Sequence, residues 1–399
     1  MWACDMKILW VKADFLHPTT KGGRIRSLEI LKRLHRRHEI HYVALDDPWA
    51  REGASLARAS EYCSKAYPIP HWAPAFHTPG FRMQALRAMF SNLPLAVFRF
   101  RSEAMKRQIE TLTRREKFDS IVCDFLFPSP NIPDIGSCVL FQHNVEAVLW
   151  SRLERHAPSR LRRLYFGSQV RRLQPYEAEV CRAAKRVVAV SEPDATTMRS
   201  IYGASRVAAV PTGVDFDYFR PPEDVRATGD LVFTGSMDWE PNVDGVHWFV
   251  DRVLPLIRRH RPNCSLTIAG RMPSRDINRL ARRDGRIHVT GTVPDIRPYL
   301  WGSSVSIVPL RIGGGTRLKI YEAMAAKVPV VSTAVGAEGL DVRDGENIQI
   351  ADAPADFAER CVALLDDAVA RRRMASVAWD RISSCYSWEV VSRKFEELL

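Results

Sequence analysis

A glycine-rich segment near residue 310 carries the residue types best suited to chemistry. In VSIVPLRIGGGTRLKIYEAMAAKVPVVST (305–333), an apolar strand ends at Leu310, Gly313, Gly314 and Gly315 follow, and a helix is predicted to begin around Thr316. Glycine allows the backbone to approach a ligand closely. The first N–H groups of a helix lack internal partners, and the helix dipole makes that end attractive to anions. The pattern therefore predicts a phosphate-binding loop.

The residues after the glycines match the remaining parts of a nucleotide diphosphate. Thr316 can cap the helix or donate a hydrogen bond, and Arg317 and Lys319 supply cations for the diphosphate. Glu322 lies six residues beyond Thr316, roughly 9 Å along a helix, where a carboxylate can accept hydrogen bonds from both ribose hydroxyls. Glycine turns alone are common, but this combination favours a nucleotide site. Neither a G-x-G-x-x-G after the first strand nor a Walker A motif is present.

The elements that must position these residues alternate along the whole chain. Short apolar runs alternate with longer amphipathic stretches, which predicts parallel sheets with crossover helices. The strands predicted in the first half are 7–12, 40–45, 120–125, 138–143 and 187–191, with helices over 22–38 and 102–117. In the second half, strands are predicted at 231–235, 265–270, 287–291, 305–310, 328–333 and 347–351, with helices over 243–260, 318–326 and 356–367.

The chain length and one aperiodic segment indicate two domains. A chain of 399 residues suits two α/β domains of about 200 residues each. Residues 215–229, DFDYFRPPEDVRATG, carry two prolines and no periodicity, and so predict a linker. We expect domains at 1–214 and 230–386, each a doubly wound sheet, with a ligand cleft between the carboxyl ends of their strands.

Composition predicts a cytoplasmic protein without a disulfide framework. The eight cysteines are scattered and form no C-x-x-C pair, which argues against a zinc site and favours reduced thiols. No apolar run reaches the roughly 18 residues that a membrane span needs. The first residues, MWACDMKILWVKAD, contain an aspartate and lack a small-residue cleavage site, so they do not predict a signal peptide.

The positive charge is concentrated in the first half. Residues 1–200 hold 32 Lys and Arg against 20 Asp and Glu, whereas the remaining residues hold 26 of each. The densest cluster lies between Arg152 and Arg172 and includes Arg155, Arg160, Arg162, Arg163 and Arg171. A basic half can attract anionic lipid, nucleic acid or a phosphorylated acceptor. We expect an anionic membrane surface and not nucleic acid, because no nucleic-acid module is recognisable.

Several motifs together resemble the retaining family 4 glycosyltransferases of the GT-B fold. The resemblance covers nearly the whole chain, through KGGRIRSLEILKRL (21–34), FQHNVE (141–146), VVAVSEPDATTM (187–198), VAAVPTGVDFDYF (207–219), FTGSMDWEPNVDGVHWF (233–249), LTIAGR (266–271) and GGGTRLKIYEAMA (313–325). It implies two Rossmann-like domains facing each other across a cleft. The donor nucleotide is expected to bind in the C-terminal domain and the acceptor mainly in the N-terminal domain. The last segment, 387–399, is expected to form a helix that crosses back to the N-terminal domain.

The resemblance also assigns roles to individual residues. It implies that His143 touches the hydroxyls of the donor sugar, and that Gly22 and Gly23 allow the acceptor or diphosphate to approach. Glu322 matches the second glutamate of the family's E-x7-E motif, but Gly314 stands in place of the first. Ser236 stands where many members have an arginine, so Arg317 and Lys319 are the candidates for meeting the phosphate charge.

The resemblance implies transfer of a sugar from a nucleotide diphosphate-sugar, which serves as a co-substrate. No cofactor or metal is expected. The expected setting is polysaccharide or lipid-linked glycan assembly. Two alternatives stay open on sequence alone. One is a nucleotide-sugar epimerase of the same fold, for which the chain offers few acid/base carboxylates. The other is a degenerate nucleotide-sugar-binding subunit, favoured by the two departures and opposed by the presence of Glu322, Lys319 and His143.

Overall fold

The chain folds into two compact units, as a computed structural model shows. The structure describes residues 6–19, 22–47, 54–74, 78–157, 159–225, 227–313 and 316–399. Unit 1 comprises Met1–Pro211 together with Val391–Leu399, and unit 2 comprises Thr212–Val390. Residues 212–229 therefore pack with the second unit, and a short helix, α9 (Phe216–Phe219), lies within the segment predicted as a linker.

Unit 1 is built on a parallel sheet of seven strands. The strands are β1 (Lys7–Lys12), β2 (Glu39–Asp46), β3 (Lys65–Pro70), β4 (Ser120–Asp124), β5 (Cys138–Phe141), β6 (Arg186–Ala189) and β7 (Val207–Ala209). The helices are α1 (Gly22–Leu34), α2 (Ala54–Ala57), α3 (Pro79–Met89), α4 (Leu95–Phe98), α5 (Glu103–Arg115), α6 (Glu146–Arg155), α7 (Arg160–Ala183) and α8 (Glu192–Ser200).

The strand order of unit 1 is β3-β2-β1-β4-β5-β6-β7. Successive strands run outward from β1 in one direction and from β4 in the other, so the order reverses between these two neighbours. In open α/β sheets, ligands bind outside the carboxyl ends of the strands at such a reversal. The turns after Lys12 and Asp124, the last residues of β1 and β4, are therefore the expected functional edge of this sheet.

Unit 2 repeats the architecture with six parallel strands in the order β10-β9-β8-β11-β12-β13. The strands are β8 (Gly229–Thr234), β9 (Leu266–Ala269), β10 (Ile287–Gly291), β11 (Ser303–Val308), β12 (Val330–Ser332) and β13 (Gln349–Ile350). After α9 the helices are α10 (Glu240–Trp248), α11 (Leu254–His260), α12 (Arg275–Arg283), α13 (Arg297–Trp301), α14 (Leu318–Ala325), α15 (Ala334–Ala337), α16 (Pro354–Asp366) and α17 (Ala368–Ser383). The order reverses between β8 and β11.

Burial explains why the apolar runs became strands. In β1, Ile8 to Val11 are fully buried, and β11 buries Val305, Ile307 and Val308, as expected for strands covered by helices on both faces. Every strand predicted from the sequence is present. The helix predicted over 243–260 is divided into α10 and α11 by a π-helical turn at Phe249–Val253, which immediately precedes Leu254 and Pro255.

The last helix, α18 (Trp388–Glu396), ends against unit 1. Phe395 is fully buried and packs 5.6 Å from the Trp10 ring, measured between ring centroids. Glu396 pairs with Arg37 and lies 3.0 Å from His38 Nε2. None of the described helices is both long and apolar enough to span a bilayer.

Candidate active site

A buried polar network fills the strand-order reversal of unit 1, and Asp124 is its centre. Oδ1 of Asp124 accepts a hydrogen bond from Lys12 Nζ at 2.7 Å and lies 2.6 Å from His143 Nε2. Oδ2 accepts from the Ser27 hydroxyl at 2.6 Å and from Trp10 Nε1 at 2.8 Å. Burial alone would raise the pKa of Asp124, but the Lys12 and His143 partners hold it well below its usual range. Asp124 is therefore an ionised carboxylate sealed inside the sheet edge.

The network fixes the protonation state of His143. Arg26 Nη1 lies 3.0 Å from His143 Nδ1, and a guanidinium can only donate hydrogen bonds. Nδ1 must then be the acceptor. Nε2 therefore carries the proton of the neutral ring and donates a hydrogen bond to Asp124. Burial, with Lys12 and Arg26 adding to it, lowers the pKa of His143 to about 4. Near neutral pH the ring is thus a neutral imidazole held by a protein partner on each nitrogen.

The glycines at the start of α1 lie beside this network. A Cβ on Gly23 would lie 3.5 Å from His143 Nδ1, and the Gly23 carbonyl oxygen lies 3.0 Å from the Ser27 hydroxyl oxygen. Gly22 is exposed as the first residue of the helix. The structure therefore brings the predicted residues Gly23 and His143 into contact, with Gly22 next to them in the chain.

Glu177 of α7 supports the turn that carries His143. Its carboxylate is fully buried and accepts from the backbone N–H of Glu146 at 2.9 Å and of Ala147 at 3.0 Å, the first residues of α6. Tyr202 and Gln142 also donate to it. Burial raises the pKa of Glu177 to about 7. This internal cap fixes where α6 begins and hence where the QHNVE turn leaves β5.

The glycine loop of unit 2 differs from the prediction in where its helix begins. Helix α14 begins at Leu318, so Arg317 is the N-cap residue and not part of the first turn. Arg317 is buried, donates to the Val335 carbonyl at 3.4 Å and packs against Gly313, where a Cβ would lie 2.1 Å from its Nη2. Thr316 is half-buried beside it. Gly314 and Gly315 lie outside the described residues.

Lys319 reaches the strand-order reversal of unit 2. Its ammonium donates to Asn242 Oδ1 at 2.9 Å and lies 4.1 Å from the centroid of the Phe233 ring, near the end of β8. A Cβ on Gly235 would lie 2.6 Å from Lys319 Nζ, so a larger residue there would displace the Lys319 side chain from this position. Burial lowers the pKa of Lys319 to about 7. The Lys319 amine, held by Asn242, thus lies where Rossmann-like sheets bind phosphates.

Glu322 lies one turn further along α14. Its carboxylate is half-buried and makes no hydrogen bond or ion pair with the described part of the chain. Burial raises the pKa of Glu322 to about 7, and the nearby Lys319 opposes that rise. Tyr218 interacts electrostatically with Glu322, and Arg297 stacks on the Tyr218 ring at 4.0 Å. A partly buried carboxylate with no hydrogen-bond partner among the described residues is suited to accept hydrogen bonds from paired ligand hydroxyls.

Sequence reasoning missed two residues of this sheet edge. Arg271 follows β9 and pairs with Asp238 at 2.9 Å, and Asp238 also accepts from the Ser236 hydroxyl. Arg271 and Ser236 therefore share Asp238 as a partner, so an arginine lies near the position where the family resemblance implies one. The second missed residue is Asn242, which accepts the hydrogen bond from Lys319. Both lie within the quoted motifs LTIAGR and FTGSMDWEPNVDG, but only the fold shows that they meet.

One cluster of possible metal ligands occurs among the described residues, and it lies away from both sheet reversals. Glu39, His41 and Glu116 have ligand atoms within 4.8 Å of one another. Lys7 pairs with both carboxylates and Lys65 pairs with Glu39. The cluster lies at the amino ends of β1 and β2, so it belongs to the opposite edge of the sheet from His143.

The predicted residues therefore form two sets. Gly22, Gly23 and His143 belong to unit 1, whereas Gly313, Thr316, Arg317, Lys319 and Glu322 belong to unit 2. Each described residue lies at or next to the carboxyl edge of its own sheet. Two Rossmann-like units with charged groups at these edges are typical of nucleotide-binding enzymes.

The family assignment agrees with this class. Residues 20–218 match the Glycosyltransferase Family 4 domain, and residues 228–367 match Glycosyl transferases group 1. Together the two matches span most of the chain and include every described strand except β1. The protein belongs to this family of GT-B glycosyltransferases, and it is an enzyme of the glycosyltransferase type.

Individual relatives cover the chain to different extents. An uncharacterised 44.6 kDa protein in the cps region of Klebsiella pneumoniae is 24% identical over 98% of this chain and 99% of its own length. A D-inositol 3-phosphate glycosyltransferase from Geodermatophilus obscurus is 30% identical over 53% of this chain and 52% of its own length. Among solved structures, Anabaena HepE in complex with UDP and glucose superposes with a TM-score of 0.68 over 98% of this chain and 99% of that chain, at 14% identity.

Proposed function

We propose that this enzyme moves a sugar from a nucleotide diphosphate-sugar to a glycan or lipid-linked acceptor, with retention of anomeric configuration. The observation that carries the proposal is the pair on α14. Lys319 lies at the strand-order reversal of unit 2, and the Glu322 carboxylate, which makes no hydrogen bond to the described residues, lies one helical turn away. The complex of HepE with UDP and glucose, on the same fold, supports a nucleotide-sugar as the ligand.

Unit 2 is the proposed donor domain. Lys319 and the residues Gly313, Gly314 and Gly315 would hold the diphosphate, with Thr316 as a further donor. Arg271 replaces the charge missing at Ser236, and its pairing with Asp238 keeps the guanidinium at the sheet edge. Arg317, buried and turned toward Val335, would act mainly by its charge and by shaping the loop. The Glu322 carboxylate would accept hydrogen bonds from both ribose hydroxyls.

Unit 1 is the proposed acceptor domain, with Gly22, Gly23 and His143 at its functional edge. Because His143 is neutral and hydrogen-bonded on both nitrogens, we assign it no acid/base role. Its proposed contact with the donor sugar, taken from the family resemblance, requires Arg26 to yield its place on Nδ1 to a sugar hydroxyl. The fixed ring would then orient the sugar without exchanging a proton.

The reaction needs no separate base in this scheme. The bond between the anomeric carbon and the phosphate oxygen breaks, and the acceptor oxygen forms a new bond on the same face. The acceptor proton passes to the departing phosphate oxygen, which leaves as nucleoside diphosphate. Lys319, Arg271 and the loop N–H groups stabilise the negative charge that develops, so catalysis rests on positioning and electrostatics.

We place the acceptor in polysaccharide or lipid-linked glycan assembly, at the cytoplasmic face of the cell membrane. The full-length similarity to a protein of the Klebsiella cps region supports this setting. The excess of basic residues in unit 1, including the cluster from Arg152 to Arg172, supports peripheral attachment to anionic lipid.

Donor turnover tests the proposal directly. The purified protein is incubated with UDP-, GDP- and dTDP-sugars, with a lipid-linked or oligosaccharide acceptor, and free nucleoside diphosphate is measured. We expect release with at least one donor. We expect the release to fall about a hundredfold in Lys319→Met, since one charged contact to the diphosphate contributes on the order of 3 kcal/mol. The matched control, Arg343→Gln, removes an exposed cation of unit 2 and should leave turnover unchanged.

Two outcomes would contradict the proposal. Conversion of the sugar while the nucleotide stays attached would indicate an epimerase. Binding of a donor without any chemical change would indicate a degenerate binding subunit.

Activity is expected to persist in excess EDTA, because protein cations are proposed to balance the leaving diphosphate. The test is turnover of the accepted donor before and after chelation, with magnesium and manganese added back. Loss of activity that either metal restores would show that a bound cation, and not Lys319 and Arg271, balances the charge of the leaving group.

A further inference from the structure

The most exposed apolar side chains of the described chain gather on one part of unit 1. Phe90, Leu161, Met89 and Leu164 are 88%, 79%, 71% and 69% exposed, more than any other large hydrophobic residue described. Met83, Leu86 and Tyr165 are exposed beside them in sequence. We call these seven residues the α3/α7 surface.

The spacing of these residues places them on the outer faces of two helices. Met83, Leu86 and Phe90 recur at i, i+3 and i+7 along α3 and its C-cap, while Ala88 on the other side is buried. Leu161, Leu164 and Tyr165 recur at i, i+3 and i+4 in the first turns of α7. A surface helix of a globular protein normally turns its apolar side inward and its polar side outward. On these two helices, by contrast, apolar residues are on the outside.

Two arginines connect the helices into a single support. Arg172 of α7 donates to the carbonyls of Ala88 and Ser91 at the end of α3. Arg99 donates to Gln84 of α3 at 3.3 Å and interacts electrostatically with Tyr165 of α7. The apolar side chains on α3 and α7 therefore belong to neighbouring elements and not to separate parts of the unit.

The charge around the surface is predominantly positive, with Glu103 and Glu154 just beyond the ends of the two segments that carry it. Residues 78–102 and 155–176 contain ten arginines and no Asp or Glu. On α3, Arg82 and Arg87 are exposed among the apolar residues, and on α7 Arg160, Arg162 and Arg163 are exposed around Leu161 and Leu164. A second copy of this surface would bring arginines against arginines, and a nucleic acid would leave the apolar side chains uncovered. A bilayer rich in anionic lipid offers both an apolar interior and phosphates above it.

We propose that the α3/α7 surface docks the protein onto an anionic bilayer. Its apolar side chains enter the boundary between headgroups and acyl chains, and the arginines extend their charged ends to the lipid phosphates. This goes beyond electrostatic attraction, because insertion of Phe90, Leu161 and Leu164 resists salt whereas the contribution of the arginines is screened. The proposal does not depend on which sugar or acceptor the enzyme uses.

Sedimentation with vesicles of phosphatidylglycerol and phosphatidylcholine tests the proposal, using the full chain at low and high salt. One variant carries Phe90→Ser, Leu161→Ser and Leu164→Ser. A second carries Arg82→Gln, Arg162→Gln and Arg163→Gln. The matched control, Ile201→Ser with Val369→Ser, removes apolar side chains that are 65% and 67% exposed elsewhere. All of these side chains are exposed, so the fold should be retained, as melting curves will verify.

We expect the wild type to bind anionic vesicles and to keep part of its binding at high salt. The serine variant should bind at least tenfold more weakly and lose the salt-resistant part. The glutamine variant should lose mainly the salt-sensitive part, and the control should bind like the wild type. The proposal is overturned if the serine variant binds normally, if the control loses as much, or if the wild type ignores anionic vesicles. It is equally overturned if the wild type is a dimer that the serine variant dissociates.

Discussion

Replacing Asp124 by alanine is expected to lower the free energy of unfolding of unit 1 by about 3–5 kcal/mol, because it removes one partner of a buried ion pair. The Lys12 ammonium and the His143 ring would both lose the carboxylate oxygen that holds them, and the Ser27 hydroxyl and Trp10 N–H would lose their acceptor. Asp124→Asn keeps the shape and one acceptor oxygen, so a smaller loss is expected. In Asp124→Ala the His143 Nε2 proton loses its acceptor, whereas Arg26 still faces Nδ1. Transfer activity should fall with stability in both variants.

Calorimetric unfolding near pH 7.5 measures this effect, since a domain of this size shifts its melting temperature by roughly 2–4 °C per kcal/mol. The matched control is Glu103→Gln, which removes the exposed carboxylate paired with Arg101 in the same unit. An exposed ion pair contributes about 0–1 kcal/mol to the free energy of unfolding, so the melting temperature of the control should be close to that of the wild type. If Asp124→Ala also melted close to the wild type, Asp124 would not be the centre of the buried network at the β1/β4 reversal.

The sequence predicted the fold well, because buried parallel strands are continuous apolar runs that need no partner to be recognised. KILWVK and SIVCD became β1 and β4 nearly residue for residue. Two strands of unit 1 were missed for identifiable reasons. β3, KAYPIP, carries two prolines, which normally argue against a strand but are tolerated at the sheet edge that this strand occupies. β7 has three residues and offers too short a pattern, and it too is an edge strand.

The candidate site was less accessible to sequence reasoning, because its residues come from distant parts of the chain. The glycine loop and α14 are contiguous, so Lys319 and Glu322 could be singled out by spacing. The Asp124 network joins β1, α1, β4 and the turn after β5, and no spacing rule connects Lys12 with Asp124 across 112 residues. Strand order supplies the missing signal, since Lys12 and Asp124 each end a strand at the reversal. Arg271 follows the same logic in unit 2.

Donor affinity is expected to be highest near pH 7 and to fall on both sides, with Lys319 and Glu322 each responsible for one side. In the ligand-free protein burial brings the pKa of Lys319 down to about 7 and that of Glu322 up to about 7. A bound diphosphate favours protonated Lys319, so above pH 7 binding must take up a proton. Ribose hydroxyls favour ionised Glu322, so below pH 7 binding must release one. On each side of the optimum, the loss of donor affinity approaches tenfold per pH unit.

Calorimetric titration with the accepted nucleotide diphosphate-sugar from about pH 5.5 to 8.5 tests the assignment. Lys319→Met should weaken binding about a hundredfold at neutral pH and remove the alkaline limb, since a unit charge near the diphosphate is worth on the order of 3 kcal/mol. It should also move the acidic limb to higher pH, because Lys319 opposes the rise in the pKa of Glu322. Glu322→Gln should remove the acidic limb and move the alkaline limb to lower pH, because Glu322 raises the pKa of Lys319. Arg343→Gln should retain both limbs. An affinity that does not change with pH in the wild type, or limbs that survive in both variants, would show that these two side chains do not contact the donor.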